Sequence, residues 1–160
     1  MPNWCDNTMT VAGTAEEIEV FVELMISDSK TGDGTDLSVL DFEAVSPMPR
    51  VLRGRKSTGD DGFITWYDWA LEEWGTKWNA VRAELDYAGQ KNKGVAVYRF
   101  QTAWGPPITW QQKIIEYFPW LEFEFDWQEE GMGFAGEMSG IGGVASEIIE
   151  KEMERVDGED

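Results

Sequence analysis

The chain has 160 residues, about the size of one folded domain, and its 42% hydrophobic content is too high for a disordered protein. It contains no histidine and a single cysteine, which excludes Ser-His and Cys-His catalysis, an internal disulfide and a thiolate metal cluster. The net charge of −18 opposes contact with nucleic-acid phosphates, so we expect a cationic protein partner and no direct binding of nucleic acid.

The sequence lacks the marks of membrane insertion or export. No apolar run approaches the roughly 18 residues of a membrane span, and the first residues do not have the basic and apolar regions of a signal peptide. We therefore expect a cytoplasmic protein without membrane contact. The sequence leaves its oligomeric state open.

The acidic residues are concentrated toward the end of the chain. Residues 116–160 hold 14 acidic residues and only two basic ones, Lys151 and Arg155, and so carry −12 of the net charge. Acidity on this scale either keeps a protein soluble or attracts a basic partner, and both interpretations stay open at this point.

A strand and a helix are predicted at the start of the chain. Residues 8–12 have strand character, and Thr14 with Glu17 three positions later forms a capping box for a helix over 15–26. An apolar stripe repeats in that helix at i, i+3, i+4 and i+7, so we expect it to pack on a sheet.

Residues 28–80 are predicted to form a tryptophan-rich insertion of loops and a short helix. Within it, residues 37–45 are strand-like and residues 50–62 form a basic, glycine-rich loop. Thr65 is the predicted N-cap of the short helix, and Gly75 is the residue that ends it.

The second half of the chain begins with two predicted strands, at 81–87 and 95–103. Thr109 and Gln112 form a second capping box, and Pro119 stops the helix that follows.

The clearest pattern in the chain comes next, where apolar and polar residues alternate. The apolar set is Leu121, Phe123, Phe125 and Trp127, and the polar set is Glu122, Glu124, Asp126 and Gln128. This alternation is typical of a half-buried strand whose outer face is acidic. Residues 134–138 are predicted to form a hairpin with this strand, and residues 144–153 form a short strand or an amphipathic helix. The last residues, 157–160, are predicted to be disordered.

The order of these elements, with the insertion left out, is strand, helix, strand, strand, helix, strand. It predicts an α+β protein with a ferredoxin-like βαββαβ sandwich, in which helices cover one face of an antiparallel sheet. We expect a single domain over 1–140 with the insertion at 28–80, followed by an acidic C-terminal extension over 141–160.

Three short motifs together resemble one known family. They are Met-Pro-Asn-Trp-Cys-Asp-Asn at 1–7, Trp-Gly-Thr-Lys-Trp at 74–78, and Thr-Ala-Trp-Gly-Pro-Pro at 102–107 followed by Phe-Ala-Gly at 134–136. This set resembles the YubB-like proteins of plasmids, phages and prophages, and the resemblance covers residues 1 to about 138. It implies a ferredoxin-like domain and a mobile genetic element as the setting, and it implies no catalytic residues.

The acidic strand is the first candidate site. On an extended strand the outward carboxylates of Glu122, Glu124 and Asp126 are about 6.6 Å apart, and Glu129 and Glu130 follow at the strand end. Such a row matches lysine and arginine side chains that normally hold phosphates. We therefore expect a non-enzymatic binding protein that inhibits a host defence or nucleic-acid-binding protein by mimicking nucleic acid. An ordinary solvated sheet face would have the same pattern.

The alternative is a small-ligand or peptide pocket built from the tryptophan motifs. Its candidate residues are Asn3, Trp4, Trp74, Thr76, Lys77, Trp78 and Trp104. In such a pocket the rings would supply apolar walls, Lys77 a charge, and Asn3 or Thr76 the orientation of the ligand. The competing interpretation is that these rings pin the insertion onto the sheet.

Catalysis by carboxylates is the third hypothesis, and we predict that the protein is not an enzyme. The candidate acids, Asp60, Asp61, Asp68, Glu72 and Glu73, are partly sequence neighbours, which do not share a helix face and point apart in a strand. We expect no cofactor and no metal site.

Overall fold

The computed structural model of the protein describes residues 2–26, 38–53, 64–87 and 94–152. Seven strands in these residues form one sheet: β1 (Trp4–Ala12), β2 (Val81–Asp86), β3 (Val95–Ala103), β4 (Glu122–Glu129), β5 (Phe134–Ile141), β6 (Val144–Ala145) and β7 (Ile149–Lys151). Three α-helices accompany them: α1 (Ala15–Met25), α2 (Trp66–Glu73) and α3 (Ile108–Tyr117). Among the described residues, no helix is both long enough and apolar enough to span a membrane.

The strand order confirms the predicted ferredoxin-like fold. It runs β2-β3-β1-β4-β5-β6, β7 also pairs with β5, and every pairing is antiparallel. The elements β1, α1, β2, β3, α3 and β4 supply the βαββαβ unit, and β5 to β7 extend the sheet beyond β4. The predicted hairpin is confirmed, since β5 lies antiparallel to β4.

Alternating side chains explain why one side of the sheet is covered. In β1 the side chains of Met9 and Val11 are fully buried, and in β4 those of Phe123 and Phe125 are buried on the same side. Phe21 of α1 contacts Phe123 at a centroid distance of 5.9 Å. Burying each such side chain contributes about 1.5–3 kcal/mol, so this layer is the main source of stability.

The first predicted capping box is confirmed at the start of α1. The Glu17 N–H donates to Thr14 Oγ1 at 3.1 Å, and the Thr14 N–H donates to Glu17 Oε1 at 2.9 Å. Two N–H groups that the helix cannot pair internally are therefore satisfied.

The second predicted capping box is wrong. Helix α3 begins at Ile108 after Pro107, and no side chain caps it. The backbone after α2 lies against this helix start instead: the Trp110 N–H donates to the Trp74 carbonyl at 3.3 Å. Gly75, with φ of +87°, is the helix-ending residue predicted, and a Cβ there would lie 3.0 Å from the Ile108 nitrogen. Tertiary packing thus takes the place of the Thr109 side chain.

The strand predicted at 37–45 is also wrong in its described part. Residues Phe42–Ala44 form a 3-10 turn, which begins where the Asp41 carboxylate accepts the Glu43 N–H at 2.9 Å. A local side-chain bond of this kind competes with sheet pairing. Burial of Phe42 fixes the turn, because its ring lies 4.5 Å from the Trp110 ring.

The insertion is part of the core. Its residues Leu40, Phe42, Val45, Ala70 and Trp74 are buried in the same cluster as the sheet residues. Residues 144–151 of the predicted extension add two short strands to the sheet, which decides between the strand and the helix expected there. Of the basic, glycine-rich loop predicted at 50–62, only residues 50–53 are described, and Arg50–Leu52 form a 3-10 turn there. The disorder predicted at 157–160 falls outside the described residues.

Candidate protein-binding face of the sheet

The side of the sheet turned away from α1 and α3 is termed the open face, and the opposite side the helix side. In β1 every second side chain points to the open face, starting with the half-buried Trp4 and the exposed Asp6. The alternating pattern in the sequence fixes this arrangement, since residues two apart on a strand share a face.

The predicted acidic strand lies where the sequence places it. Glu122, Glu124 and Asp126, termed the acidic row, are exposed along β4 on the open face. Asp126 stands directly across from Glu137 of β5, and like charges in such a pair destabilise a sheet. Asp6 on β1 and Glu137 on β5 therefore widen the row into an acidic area that spans three strands.

Lys151 of β7 relieves the repulsion within this area. Its Nζ lies 3.2 Å from Asp126 Oδ1 and 3.2 Å from Glu137 Oε1. The hydrogen bond to Asp126, and next the one to Glu137, raise the pKa of Lys151 above its usual value of 10.5. Because all three side chains are about half exposed, water screens these ion pairs and each contributes little stability.

Two concavities divide the open face. One, of about 540 Å³, lies on the acidic side, and its lining includes Asp6, Thr8, Asp126 and Lys151. The other, of about 460 Å³, lies over β2 and β3, and its lining adds basic residues to Asp6 and Thr8, namely Arg82 and Arg99. The acidic and the mixed-charge halves thus meet at β1.

Glu129 does not belong to the predicted binding surface. Its side chain is fully buried on the helix side, and both carboxylate oxygens accept the Met132 N–H, at 3.1 and 3.0 Å. Residues two apart on a strand share a face, so position 129 continues the buried series of Phe125 and Trp127 and its side chain points inward. Glu130 is exposed in the turn after β4 and stands apart from the acidic row.

The structure splits the predicted tryptophan pocket. Trp74 and Thr76 are buried, and both are held by carbonyl groups: Trp74 Nε1 donates to Ser46 O at 2.9 Å and Thr76 Oγ1 donates to Ala103 O at 2.8 Å. Thr76 therefore ties the insertion to β3, whereas Trp74 joins two parts of the insertion to each other.

A second group of the predicted residues forms a stack at the surface. The Trp4 and Trp78 rings lie 5.9 Å apart, Lys77 Nζ lies 4.2 Å from the Trp78 ring centre, and the Arg82 guanidinium lies 4.9 Å from that of Trp4. Arg82 is added here by the structure, which gives it a φ of +52° where the register of β2 shifts. Lys77, Trp78, Trp4 and Arg82 are termed the aromatic ladder.

Trp104 lies in a tight turn over residues 103–105 that is hydrogen-bonded to Asn3. The Trp104 N–H donates to the Asn3 carbonyl at 2.7 Å, and the Gly105 N–H closes a three-residue turn on Ala103 O at 2.9 Å. Trp104 has a φ of +69°, which is strained for a bulky residue, and its side chain is half exposed. The Asn3 side chain packs under Gly131, where a Cβ would come within 2.4 Å of it, so Asn3 serves the fold.

The carboxylates considered for catalysis do not converge in the described residues. Asp68 lies in the first turn of α2 and bonds Thr65, whereas Glu73 at the other end of the helix pairs with Lys113 at 2.7 Å. Asp60 and Asp61 lie outside the described residues. Cys5 is buried beside Asp6, and burial first and that carboxylate second raise the pKa of the thiol to about 12.

An antiparallel sheet in 4-1-3-2 order, with helices on one side and an open face on the other, defines an α+β protein of the ferredoxin-like class. The chain belongs to the family described as the ferredoxin-like domain in Api92-like protein, whose model matches residues 73–160. Its fold is similar to the crystal structure of the protein api92 from Yersinia pseudotuberculosis, with a TM-score of 0.74 and 9% identity over 97% of this chain and 100% of that chain. At this identity the likeness concerns the fold alone. No curated protein matches the chain.

Proposed function

We propose that this protein is a non-enzymatic, cytoplasmic binding protein that takes a lysine- and arginine-rich surface of another protein on its open face. The observation that carries the proposal is the acidic row, in which three exposed carboxylates share one face and one strand. The resemblance to YubB-like proteins of plasmids, phages and prophages supports a more specific form, in which a mobile element inhibits a host nucleic-acid-binding protein.

The physical basis of such binding is the sum of weak, screened contacts. One exposed ion pair contributes only about 0–1 kcal/mol, so affinity requires several carboxylates that act together. A net charge of −18 adds long-range attraction for a basic partner and speeds association at low salt. Binding should therefore weaken steeply as the salt concentration rises.

A triple variant tests the proposal directly. Glu122→Gln, Glu124→Gln and Asp126→Asn remove three charges from the open face, and Glu19→Gln, Glu23→Gln and Glu116→Gln remove three exposed charges from α1 and α3. With a fluorescein-labelled oligolysine peptide at low salt, we expect at least about tenfold weaker binding for the first variant and less than about threefold for the second. Equal losses in both variants would show attraction by net charge alone and would contradict the proposal.

The inhibitory role has its own experiment. Host proteins captured by the native chain, but not by the open-face variant, are purified with their nucleic acid bound. Addition of the native chain in excess should release that nucleic acid. Retention of the nucleic acid at low salt would reject mimicry and leave simple binding.

The aromatic ladder favours a second candidate function, the binding of a small ligand or peptide. Trp78 is 37% exposed and shares a face of the structure with two cations, which is typical of a surface that stacks on planar groups. A ligand there would quench tryptophan fluorescence in the native chain and not in Trp78→Ala. Quenching that survives this substitution would place the ligand elsewhere.

A further inference from the structure

Two short strands in different registers cover the outer edge of β5. β6 and β7 both pair with β5, but their registers differ by one residue: Gly140 is opposite Ala145, and Gly136 is opposite Glu150. One extra residue is therefore inserted between them, which makes a β-bulge. A bulge disrupts the ladder locally, so β6 and β7 pair with β5 as two separate strands.

Two of the three side chains of β7, those of Ile149 and Glu150, do not match their surroundings. Ile149 points to the charged open face, opposite Glu137, and is 54% exposed. Glu150 points to the helix side, opposite Gly136. A shift of one residue in register exchanges the two faces of a strand, so the bulge is what produces this placement.

Glu150 borders an apolar groove. The groove has a volume of about 450 Å³, and its lining includes Pro106, Ile108, Trp127, Phe134 and Ile148. The Trp127 ring lies over Gly136, where a Cβ would come within 2.7 Å of it, so the groove reaches the backbone of β5. A carboxylate at this border gains nothing from apolar walls, whereas an apolar side chain would bury surface there.

Lys151 is the well-matched residue of β7. Its ammonium group joins Asp126 and Glu137 on the open face, and all three residues of β7 are exposed. The edge of β5 therefore combines three recognition features: backbone groups that pair with a strand, a carboxylate pair on one face, and an apolar groove on the other. An extended segment that alternates basic and apolar residues satisfies all three.

We propose that the β5 edge is the docking site for an extended, basic segment of a partner protein, and that β7 is an internal placeholder which this segment displaces. The proposal rests on the proposed function, since it names the partner segment that the acidic face takes. The partner strand places lysine or arginine where Lys151 lies and an apolar side chain where Glu150 lies. Displacement is favourable because the incoming strand keeps the ion pairs and gains burial in the groove.

A reversible lock tests this in the full chain. Glu137→Cys with Ile149→Cys joins two residues directly opposite each other on β5 and β7 when oxidised, and releases β7 when reduced. The probe is a labelled seven-residue peptide in which lysine alternates with leucine. Binding should be at least about tenfold weaker in the oxidised form, because the lock removes the state that binds. The same chain in both redox states is its own control for the lost carboxylate.

Two single variants should act in opposite directions. Glu150→Leu strengthens β7 in its place and should weaken binding of the alternating peptide, whereas Lys151→Gln loosens β7 and should strengthen it. Arg50→Gln is the control, because it removes one positive charge, as Lys151→Gln does, from an exposed residue of the 3-10 turn at Arg50–Leu52. It should leave binding unchanged.

A control peptide of the same composition, with its lysines and leucines in separate blocks, separates the two proposals. Equal binding of both peptides, without any effect of the lock, would overturn β5-edge docking and leave the acidic face as a general cation surface. Absence of binding by either peptide to the native chain and to Lys151→Gln would overturn both.

Discussion

Tryptophan and glutamate occur on both sides of the sheet, buried on the helix side and at least partly exposed on the open face. On the helix side Trp110 and Glu129 are fully buried, and each has its polar group bonded to the backbone. On the open face Trp4 is half-buried beside the exposed Trp78, and Glu124 is exposed. Composition alone therefore does not assign a role, because the same indole or carboxylate supports the fold on one side of the sheet and is available to a partner on the other.

The largest predicted difference is in the reactivity of Cys5 between the folded and the unfolded protein. In the folded protein, β1 turns this side chain toward the helix side, next to the exposed Asp6. Its pKa of about 12, against a usual 9.0, lowers the thiolate fraction at pH 8 by about a thousandfold. Alkylation by iodoacetamide should therefore be slower by that order in the native protein than in urea. Because the folded pKa is the higher one, the stability linked to this thiol is fully present below pH 9 and is lost as the pH rises toward 12. Equal alkylation rates in native and unfolded protein would show that Cys5 is accessible.

The next contrast compares two tryptophans. Trp110→Ala should lower the free energy of unfolding by about 3–5 kcal/mol, because it opens a cavity against Phe42 and removes the bond from Nε1 to the Phe42 carbonyl. Trp78→Ala should cost no more than about 1 kcal/mol, the scale of its exposed cation contact. Urea unfolding of both variants measures the difference. Similar losses would mean that the aromatic ladder belongs to the core.

The smallest contrast compares two glutamates of β4. Glu129→Ala leaves the Met132 N–H without its acceptor and should cost about 1–3 kcal/mol. Glu124→Ala, five residues earlier on the open face, should change stability by less than about 0.5 kcal/mol. Thermal unfolding at one pH and salt concentration compares them. A larger loss for Glu124→Ala would show that the acidic row is needed for folding, and it would weaken the case for a binding role.

Much of the fold was predictable from local patterns. The capping box at Thr14 and Glu17, the helix end at Gly75 and the alternation along β4 each depend on interactions within a few residues, and all three hold. The inward orientation of Glu129 follows from the same alternation. Since every second position from Phe123 on faces the core, the pattern could have separated Glu129 from Glu130. The failures have the opposite cause: Trp74 replaced the cap expected from Thr109 because α2 and α3 meet only in the folded chain.

The candidate site likewise has one part that follows from local sequence patterns and another that follows from packing in the folded chain. The alternation along β4 is enough to place Glu122, Glu124 and Asp126 on one face, because a strand has a side-chain period of two. Tertiary packing, in contrast, brings Trp4 and Trp78 together at the surface and buries Trp74. It likewise brought Lys151 to Asp126, 25 positions away in sequence, and set Glu150 beside an apolar groove. Sheet pairing joins residues that are distant in sequence, and the register of that pairing, shifted by a single bulge, decides which face each side chain takes.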